Sequence, residues 1–400
     1  MFAPNSEAEL AQAIGAAYAA AEPVWVHGQG SKAQSMRSVQ AARSLSTRNL
    51  SGIELYSPKE LIFSAQSGTK VSEIEAMLAA NDQHMIAETP DFSALLGSTA
   101  PQTLGGVVAA GLSGPRRISL GATRDHVMGV RAVNGLGETI RSGGRVLKNV
   151  TGLDICKLLT GSHGTLAVMS EITMKVLPAP ERRATVAIAG LDPVRAVAAL
   201  AAALGSPYAV SAAAYLPAQA AARVPAVAWL QGSVTLARIE DFTPSVAYRA
   251  DRLRSDLAAF GVAEILDDAA SRALWAAVRD AQPLAAAPDD AIWRVSVRPS
   301  AGPRVVAALE AAFGAAGFLD WGGGLVWVAG PATDAAHAAV MAAALREGGT
   351  WQLLRGPDAL RNAVAVIPPE PDAMARISAR VKLAFDPKSI LNPGRMRAGL

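Results

Sequence analysis

The chain has 400 residues and a mass of 41.2 kDa; 51% of its residues are hydrophobic and 18% are charged. This is enough chain for two domains with a sizeable core, and it is too apolar for a disordered protein. Lysine and arginine total 37 against 34 aspartates and glutamates, and no dense basic run with interleaved aromatics occurs, which argues against a nucleic-acid partner.

The chain has one cysteine, Cys156. One cysteine cannot form an internal disulfide, a four-thiolate zinc site or a self-contained iron–sulfur cluster, so we predict no metal site and expect Cys156 to be buried. The first 22 residues lack the basic start of a signal peptide, and no apolar run reaches the roughly 18 residues of a membrane span. We expect a cytoplasmic protein without a transmembrane segment, which reaches a membrane only through partners.

Residues 1–180 are rich in glycine, serine and threonine, with short apolar runs that are typical of strands. Local hairpins rather than strict strand–helix–strand alternation favour an α+β fold. The predicted elements are, in chain order, a capped helix at 6–21, strands at 24–27, 44–48, 52–57 and 61–66, a helix at 71–81, a hairpin of 127–134 with 138–141, a helix at 152–160 and a strand at 165–177.

Residues 181–384 have a different composition, with alanine-rich helices alternating with short strands. This alternation predicts a smaller α/β domain that begins after the proline-rich junction at 178–183. The predicted strands lie at 184–189, 226–234, 292–297 and 325–329. Residues 385–400 begin with the proline- and glycine-containing run FDPKSILNPGRM, which predicts a third, structured segment without a helix.

Three glycine-rich loops occur in the first half: VHGQGSK at 26–32, TLGGVVAAGLSG at 103–114 and TGSHGTLAV at 160–168. Glycine lets backbone amides approach a ligand closely, and consecutive amides in such a turn can cradle a phosphate. Any one of these loops alone is typical of a simple tight turn. Three of them, each adjoining a strand or helix, indicate a long cofactor held by many contacts.

The first loop also fits the dinucleotide fingerprint G-x-G-x-x-A over residues 28–33. That fingerprint requires an amphipathic helix after the loop and an acidic residue about 20 positions on. Residues 46–52, STRNLSG, contain no acid, and the stretch after the loop has only a thin apolar stripe. A nicotinamide-binding Rossmann domain is therefore the weaker interpretation.

The loops belong to longer motifs that occur in order: VxGxGSK, TLGGxxAxGxxGxxRxxxGxxRD, KNVTGxDxxKLLTGSxGTLxVxxExTxKVLP and LNPGRM. With them the chain resembles the FAD-binding flavoproteins of the vanillyl-alcohol-oxidase type, and among these the FAD-binding subunits of glycolate oxidases. The resemblance is strong over residues 20–180 and 385–396. It implies a two-subdomain PCMH-type FAD-binding domain at 1–180, a smaller ferredoxin-like α/β cap at 181–384, and a segment at 385–400 that returns to the FAD domain.

The resemblance also implies where FAD is bound. Amides of the first loop would wrap the pyrophosphate, the TLGG segment would pass the ribityl chain and the flavin ring, and the backbone of Val168 would contact adenine. Asp125 is either a cofactor hydrogen-bonder or a turn cap. The implied cofactor-binding residues are Gly28, Gln29, Gly30, Ser31, Thr103, Leu104, Gly105, Gly106, Gly121, Thr123, Asp125, Gly152, Asp154, Gly161, Ser162, Gly164, Thr165, Val168, Asn392 and Arg395.

Many members of the family attach FAD covalently through a histidine of the first loop. In this chain Ser31 stands at that position, and His27 precedes the glycines. The resemblance therefore implies noncovalent FAD. His27 is then either a histidine at the end of a strand or a ligand of the flavin.

No catalytic residue is assigned. Family members that act on 2-hydroxy acids carry paired histidines in the second domain, whereas this chain has only His337 there, on an alanine-rich helix. Arg294 and Arg298 alternate along one strand and so share a face, which is either a solvated face or a site for an anionic substrate. Trp321 precedes three glycines and either packs in the core or covers a flavin.

The resemblance implies an FAD-dependent oxidoreductase acting on CH–OH groups. The expected function is that of the FAD-binding subunit of a glycolate (2-hydroxy acid) oxidase or dehydrogenase complex, which oxidises glycolate to glyoxylate and passes the electrons to partner subunits. The expected partners are a larger FAD-containing catalytic subunit, which carries the missing histidines, and an iron–sulfur subunit. Two alternatives remain: a self-sufficient FAD-dependent alcohol or alditol oxidase, and a non-catalytic assembly subunit.

Overall fold

The computed structural model describes residues 1–144 and 153–399 of the chain. Their contacts divide the chain into two compact units. The first unit comprises the described parts of Met1–Ser113, Gly121–Ala179 and Pro369–Leu400; the second comprises Gly114–Leu120 and Pro180–Pro368. The ranges expected from the sequence differ from these units at two places, because 114–120 goes with the second unit and residues 369–384 go with the first.

The helices and strands of the first half are numbered in chain order. They are α1 (Glu7–Ala20), β1 (Val24–His27), β2 (Arg43–Ser46), β3 (Ile53–Ser57), β4 (Ile62–Gln66), α2 (Val71–Ala79), β5 (Gln83–Met85), α3 (Leu104–Ala110), α4 (Arg117–Leu120), α5 (Thr123–His126), β6 (Val127–Asn134), β7 (Thr139–Gly143), α6 (Ile155–Leu159) and β8 (Ala167–Pro178).

The second half continues the numbering with β9 (Arg182–Ala189), α7 (Pro193–Leu204), β10 (Ala212–Leu216), α8 (Ala218–Ala221), α9 (Pro225–Ala228), β11 (Val234–Asp241), α10 (Thr243–Asp256), β12 (Ala263–Leu266), α11 (Asp268–Arg279), β13 (Ala291–Ser296), α12 (Gly302–Phe313), β14 (Ala316–Asp320), β15 (Leu325–Gly330), α13 (Asp334–Arg346), β16 (Thr350–Arg355), α14 (Asp358–Ala363) and α15 (Asp372–Phe385). The α+β fold class is confirmed.

The main sheet of the first unit has the strand order β3-β4-β8-β6-β7, with β5 also paired to β8. All of these pairs are antiparallel, and two of them, β3 with β4 and β6 with β7, join strands that are neighbours in the sequence. The hairpin predicted from the sequence is confirmed as β6 with β7, where Val130 pairs with Ser142. The long strand predicted at 165–177 is confirmed as β8, whose residues are mostly buried.

A separate parallel pair, β1 with β2, carries the first glycine loop. The chain near the C-terminus runs alongside β1: the amide of Val24 donates to the Ile390 carbonyl at 2.8 Å, and the amide of Asn392 donates to the Val24 carbonyl at 3.1 Å. Helix α1 covers this region with Leu10 and Ile14, both fully buried. The loop that follows β1 therefore begins at a strand that is hydrogen-bonded on both sides.

The second unit is an internal duplication. Its eight strands form one sheet in the order β12-β9-β11-β10-β14-β15-β13-β16. The strands β9 to β12, with α7 and α10, follow a β-α-β-β-α-β pattern, and β13 to β16, with α12 and α13, repeat it. Each half has the strand order of a ferredoxin-like motif, and the halves join where Tyr215 of β10 pairs with Leu319 of β14.

One strand predicted in the second unit is wrong. Residues 226–234 do not form a strand, since α9 ends at Ala228 and the strand β11 begins only at Val234. Pro225 favours a helix start at that point. The strand β10, AAAYL, is entirely buried and alanine-rich, so it shows neither the alternation nor the composition by which strands are recognised.

Within the described residues, no helix combines the length and the apolar character that crossing a bilayer requires.

Candidate cofactor site

Three glycine-rich segments and the chain near the C-terminus meet at one open cleft in the first unit. The cleft is open on one side, and its empty volume, open solvent included, is about 780 Å³. The residues predicted from the sequence that line it are Gly28, Gln29, Gly30, Ser31, Thr103, Gly105, Gly106, Gly164, Val168, Asn392 and Arg395.

Consecutive backbone amides of the first loop are available to a ligand. Within the part of the chain that the structure describes, the amides of Gln29, Gly30, Ser31 and Lys32 donate to no protein acceptor. The positive φ of Gly30, 87°, turns the backbone in the middle of this run. Successive unpaired amides in such a turn form a concave binding site for anions. Unpaired amides are costly to bury, so an anionic ligand at this loop is the arrangement that satisfies them.

Gly28 allows the first loop to approach the TLGG segment, and Gly105 allows the TLGG segment to approach Ser67. A Cβ atom on Gly28 would overlap the hydroxyl of Thr103, and a Cβ on Gly105 would lie 2.9 Å from the Ser67 carbonyl oxygen. Thr103 is itself the N-cap of α3, where its hydroxyl accepts a hydrogen bond from the Gly106 amide. Any larger side chain at either glycine would therefore widen or block this end of the cleft.

Two cationic side chains lie at the cleft. Arg395 donates to the carbonyls of Lys32 at 2.8 Å and of Arg37 at 2.9 Å, so it holds the stretch after the first loop in place. Burial lowers the pKa of Lys32 to about 8, although Asp91 opposes the effect. Burial, together with Arg395 and Lys32, lowers the pKa of His163 to about 3, so His163 is neutral. The site is positively charged at neutral pH.

Asn392 connects three segments of the cleft. Its side-chain oxygen accepts from the Val26 amide at 2.7 Å, and its Nδ2 donates to the carbonyls of Val26 at 3.1 Å and His163 at 2.8 Å. The Nδ2 atom would lie 2.9 Å from a Cβ on Gly164. Asn392 therefore acts on the cleft by fixing the loops that line it.

Other predicted residues lie outside the lining of the cleft. Leu104 is buried, the Thr123 hydroxyl donates to the Leu112 carbonyl, and Asp125 accepts from the Ala122 amide at 2.8 Å as a turn cap does. Gly152 lies outside the described residues. The remaining ones form local turns and a helix cap: Gly121, Asp154, Gly161, Ser162 and Thr165. Their assignment to cofactor binding stays a prediction.

The structure adds His163 to the cleft, and no pattern in the sequence distinguishes it from the other histidines. His163 has a positive φ of 53° between two glycines with positive φ. Its amide donates to the Ala109 carbonyl at 2.8 Å and its carbonyl accepts from Asn392. A non-glycine residue in this conformation is uncommon and marks a constrained loop.

His27 lies at the end of β1 and also lines the cleft. Its Nδ1 lies 2.9 Å from the Gly28 carbonyl oxygen, and its ring packs against Trp25 with the ring centroids 4.3 Å apart. Its Nε2 is buried and has no hydrogen-bond partner among the described residues. Burial lowers the pKa of His27, so a neutral ring presents a free nitrogen at the cleft.

Two other candidate residues, His337 and Cys156, are buried and make contacts within the protein. His337 is buried in the second unit, where its Nδ1 accepts from the indole of Trp293 at 3.1 Å. Cys156 is buried, with its thiol 3.4 Å from the Ser142 carbonyl oxygen, and burial raises its pKa. Among the described residues, no group of three or more histidine, cysteine or acidic side chains is arranged to hold a metal.

Comparison with protein families matches residues 1–143 to the family described as FAD binding domain. Of curated proteins, glycolate oxidase subunit GlcE of Escherichia coli is 44% identical over 158 residues, which is 40% of this chain and 43% of that protein. Glycolate oxidase subunit GlcD of Bacillus subtilis is 40% identical over 83 residues, or 21% of this chain and 18% of that protein. The matches thus span less than half the length of these relatives.

Among solved structures, p-cresol methylhydroxylase with substrate bound superimposes with a TM-score of 0.74. The match covers 99% of this chain and 88% of that one, at 12% sequence identity. At this identity the similarity concerns the fold alone, and it extends over both units of the chain.

The cleft fits FAD as the cofactor. Four available amides and the ammonium group of Lys32 suit the two negative charges of a pyrophosphate. Gly105 and Gly106 line the cleft without side chains, so the backbone of the TLGG segment borders the ligand space directly.

Proposed function

We propose that this chain, which carries an FAD binding domain in its first 143 residues and has FAD as its cofactor, is the FAD-binding subunit of a glycolate (2-hydroxy acid) oxidase or dehydrogenase complex. The observation that carries the proposal is the run of available amides from Gln29 to Lys32 at a positively charged cleft. The similarity to the GlcE subunit supports glycolate as the substrate class.

The chain's own residues have distinct roles in this proposal. The amides of the first loop and Lys32 bind the pyrophosphate, and Arg395 and Asn392 fix the loops that present them. Gly105 and Gly106 would border the bound cofactor with backbone alone, and His27 lines the same cleft. The FAD is held without a covalent bond, because Ser31 stands where family members have the attachment histidine. When bound, FAD supplies a two-electron acceptor for alcohol oxidation.

The reaction proposed for the complex removes two electrons and two protons from glycolate and yields glyoxylate. The chain has one cysteine and therefore cannot hold an iron–sulfur cluster by itself. In the second unit the one histidine, His337, is engaged with Trp293. These observations support a division of labour in which a larger FAD-containing subunit supplies the catalytic histidines and an iron–sulfur subunit carries electrons onward.

The test compares the chain purified alone with the chain co-expressed with its neighbouring genes. We expect flavin in both preparations, and glycolate-dependent reduction of an artificial dye only when the partner subunits are present. Rapid glycolate turnover by the chain alone would support a self-sufficient oxidase instead. A colourless chain in both preparations would support a non-catalytic assembly subunit.

A further inference from the structure

Strand β13 of the second unit presents an arginine without an anionic partner. Among the described residues, the guanidinium of Arg294 makes no hydrogen bond and no ion pair, and its Nε is buried. It lies instead over two indole rings, 5.6 Å from the ring centre of Trp321 and 5.2 Å from that of Trp327. The side chain is only partly exposed, so water does not fully solvate its charge.

Other arginines of the same unit are neutralised. Arg116, Arg183 and Arg238 converge on the carboxylate of Glu240, at 2.7, 3.0 and 3.2 Å. Arg298, four residues after Arg294, pairs with Glu347 at 3.2 Å and is exposed. The fold thus provides carboxylates where it buries arginine charge, and Arg294 departs from this pattern.

A second positive charge lies near Arg294. The guanidinium of Arg117 is 4.8 Å from the ring centre of Trp321, so two arginines contact one indole. Burial, followed by repulsion from Arg117, lowers the pKa of Arg294 to about 10, whereas Asp320 acts in the opposite direction. Asp320 accepts from the Trp321 amide at 2.7 Å and has no hydrogen bond to Arg294. Two guanidinium groups thus lie near each other, and within the described part of the chain neither the Asp320 carboxylate nor another acid forms an ion pair with Arg294.

The indoles are held in place before any ligand arrives. The Nε1 of Trp321 donates to the Gly114 carbonyl at 3.2 Å, and Trp321 adopts a positive φ of 53°. Trp327 stacks on Phe318 with the ring centroids 6.0 Å apart. A guanidinium stacked on fixed aromatic faces keeps its edge in one orientation, and that edge matches a planar carboxylate.

We propose that Arg294, with Arg117 and the indoles of Trp321 and Trp327, forms a binding site for a small carboxylate anion. The carboxylate would accept hydrogen bonds from Arg294 and gain attraction from Arg117, which removes the repulsion between the two arginines. This inference deepens the proposed function, because it assigns the carboxylate of a 2-hydroxy acid to these residues. It can be tested independently of the flavin.

The experiment measures binding of oxalate to the purified full-length chain by calorimetry and by tryptophan fluorescence. Oxalate has two carboxylates and no hydrogen on carbon, so it cannot be oxidised as an alcohol. We expect saturable binding to the unchanged chain and at least tenfold weaker binding to Arg294→Gln. Arg117→Gln should weaken binding by a smaller factor. Arg298→Gln is the matched control, since it removes an exposed arginine of the same chain segment, and should change affinity less than twofold.

Three outcomes would overturn the proposal: no saturable oxalate binding to the unchanged chain, equal losses in Arg294→Gln and Arg298→Gln, or full affinity in Arg294→Gln. If Arg294→Gln does not fold, Arg294→Lys keeps the charge but loses the planar edge, and should still bind oxalate several-fold more weakly. The visible spectrum is recorded for each variant. A colourless chain that still binds oxalate through Arg294 would contradict the FAD-dependent function but not this site.

Discussion

At the scale of single residues, the cofactor site contains a lysine, Lys32, whose pKa the fold lowers toward neutral pH. Lys32 has a pKa of about 8 in the free protein, mainly because it is buried. Among residues 1–144 and 153–399, its Nζ donates only to neutral groups, the Ser31 hydroxyl at 3.3 Å and the Gln102 side-chain oxygen at 3.4 Å. Asp91 opposes the effect of burial by favouring the charged form of Lys32.

This arrangement predicts a pH dependence of FAD binding. The charged form of Lys32 binds the pyrophosphate, and the free protein loses that charge as the pH rises through about 8. FAD affinity should therefore be constant below about pH 7.5 and fall as the pH rises above 8. Lys32→Met should bind FAD about tenfold more weakly at pH 7, with little further change up to pH 9.5. Fluorescence titration of FAD measures both, and a pH profile that Lys32→Met leaves unchanged would contradict the role of Lys32.

The close approach at Gly28 gives a second prediction. Gly28→Ala places a methyl group against the Thr103 hydroxyl and should separate the first loop from the start of α3. We expect at least tenfold weaker FAD binding, measured by the same titration. Gly15→Ala is the control: a Cβ there has no atom within 4 Å, and alanine in α1 should raise stability by about 0.5–1 kcal/mol without changing FAD affinity. Equal FAD affinity in both variants would show that the approach at Gly28 is unimportant.

The glycine loops could be chosen from the sequence because their chemistry is local: each loop contains its own turn residues. The loop chemistry indicated only a long cofactor; the family resemblance implied the individual residues Gln29, Gly30 and Ser31, which line the cleft. His163 and the buried state of Lys32 could not be predicted, since both follow from segments that are far apart in sequence. Arg395, which lowers the pKa of His163, lies more than 200 residues further along the chain.

At the scale of elements, the buried side chain of Lys382 anchors α15 within the first unit. Of the residues of α15, all of them described, only Lys382 is buried, whereas Met374, Ile377 and Leu383 are exposed. The Nζ of Lys382 donates to Asp386 at 2.7 Å and to the Thr165 carbonyl at 2.7 Å. Asp386, fully buried, also accepts from the amides that follow the helix, at Ile390 and Leu391.

Removal of this ammonium group should destabilise the first unit. Lys382→Met leaves the Asp386 carboxylate buried without its cation, and loss of one member of a buried ion pair costs about 3–5 kcal/mol. We expect a clear decrease in the denaturant midpoint, with loosened binding of FAD because the segment that carries Asn392 follows directly. Arg380→Met, an exposed position on the same helix, should leave the midpoint within about 0.5 kcal/mol. A midpoint unchanged in Lys382→Met would contradict the anchoring role.

Elements were predictable where the sequence carries a local signal and unpredictable where it carries none. The hairpin of β6 and β7 has a turn with two glycines at 135–137 and was found. The strand β10 has no alternation, because all five of its residues are buried, and it is made largely of alanine. The same property hides the duplication of the second unit, whose halves share strand order without a sequence repeat.

At the scale of the whole molecule, each unit is assembled from separate stretches of the chain. The segment 114–120, from the first half of the sequence, belongs to the second unit. Its Arg116 donates two hydrogen bonds to Glu240, at 2.9 and 2.7 Å, and Arg183 and Arg238 share that carboxylate. These arginines hold the pKa of Glu240 well below its usual range. A domain boundary read along the sequence cannot show such a segment, because the contacts that assign it are long-range.

Neutralising Glu240 should destabilise the second unit. Glu240→Gln removes the charge that two buried arginines and the half-buried Arg183 share, with an expected loss of about 3–5 kcal/mol in the free energy of unfolding. The lowered pKa of this carboxyl also means that its contribution is complete above about pH 4.3, the ordinary value for glutamate, and is lost only as the pH falls well below it. Glu264→Gln, on the exposed part of β12, is the control. Equal unfolding midpoints for the two variants would contradict the importance of the cluster.

The most direct test of the central claim is the visible absorption spectrum of the purified chain, followed by a fluorescence titration of the FAD-depleted protein with FAD. The account predicts a yellow protein whose flavin is released on denaturation, and saturable rebinding that is weakened in Lys32→Met and Gly28→Ala but not in Gly15→Ala. A colourless chain that does not change the fluorescence of added FAD would contradict it.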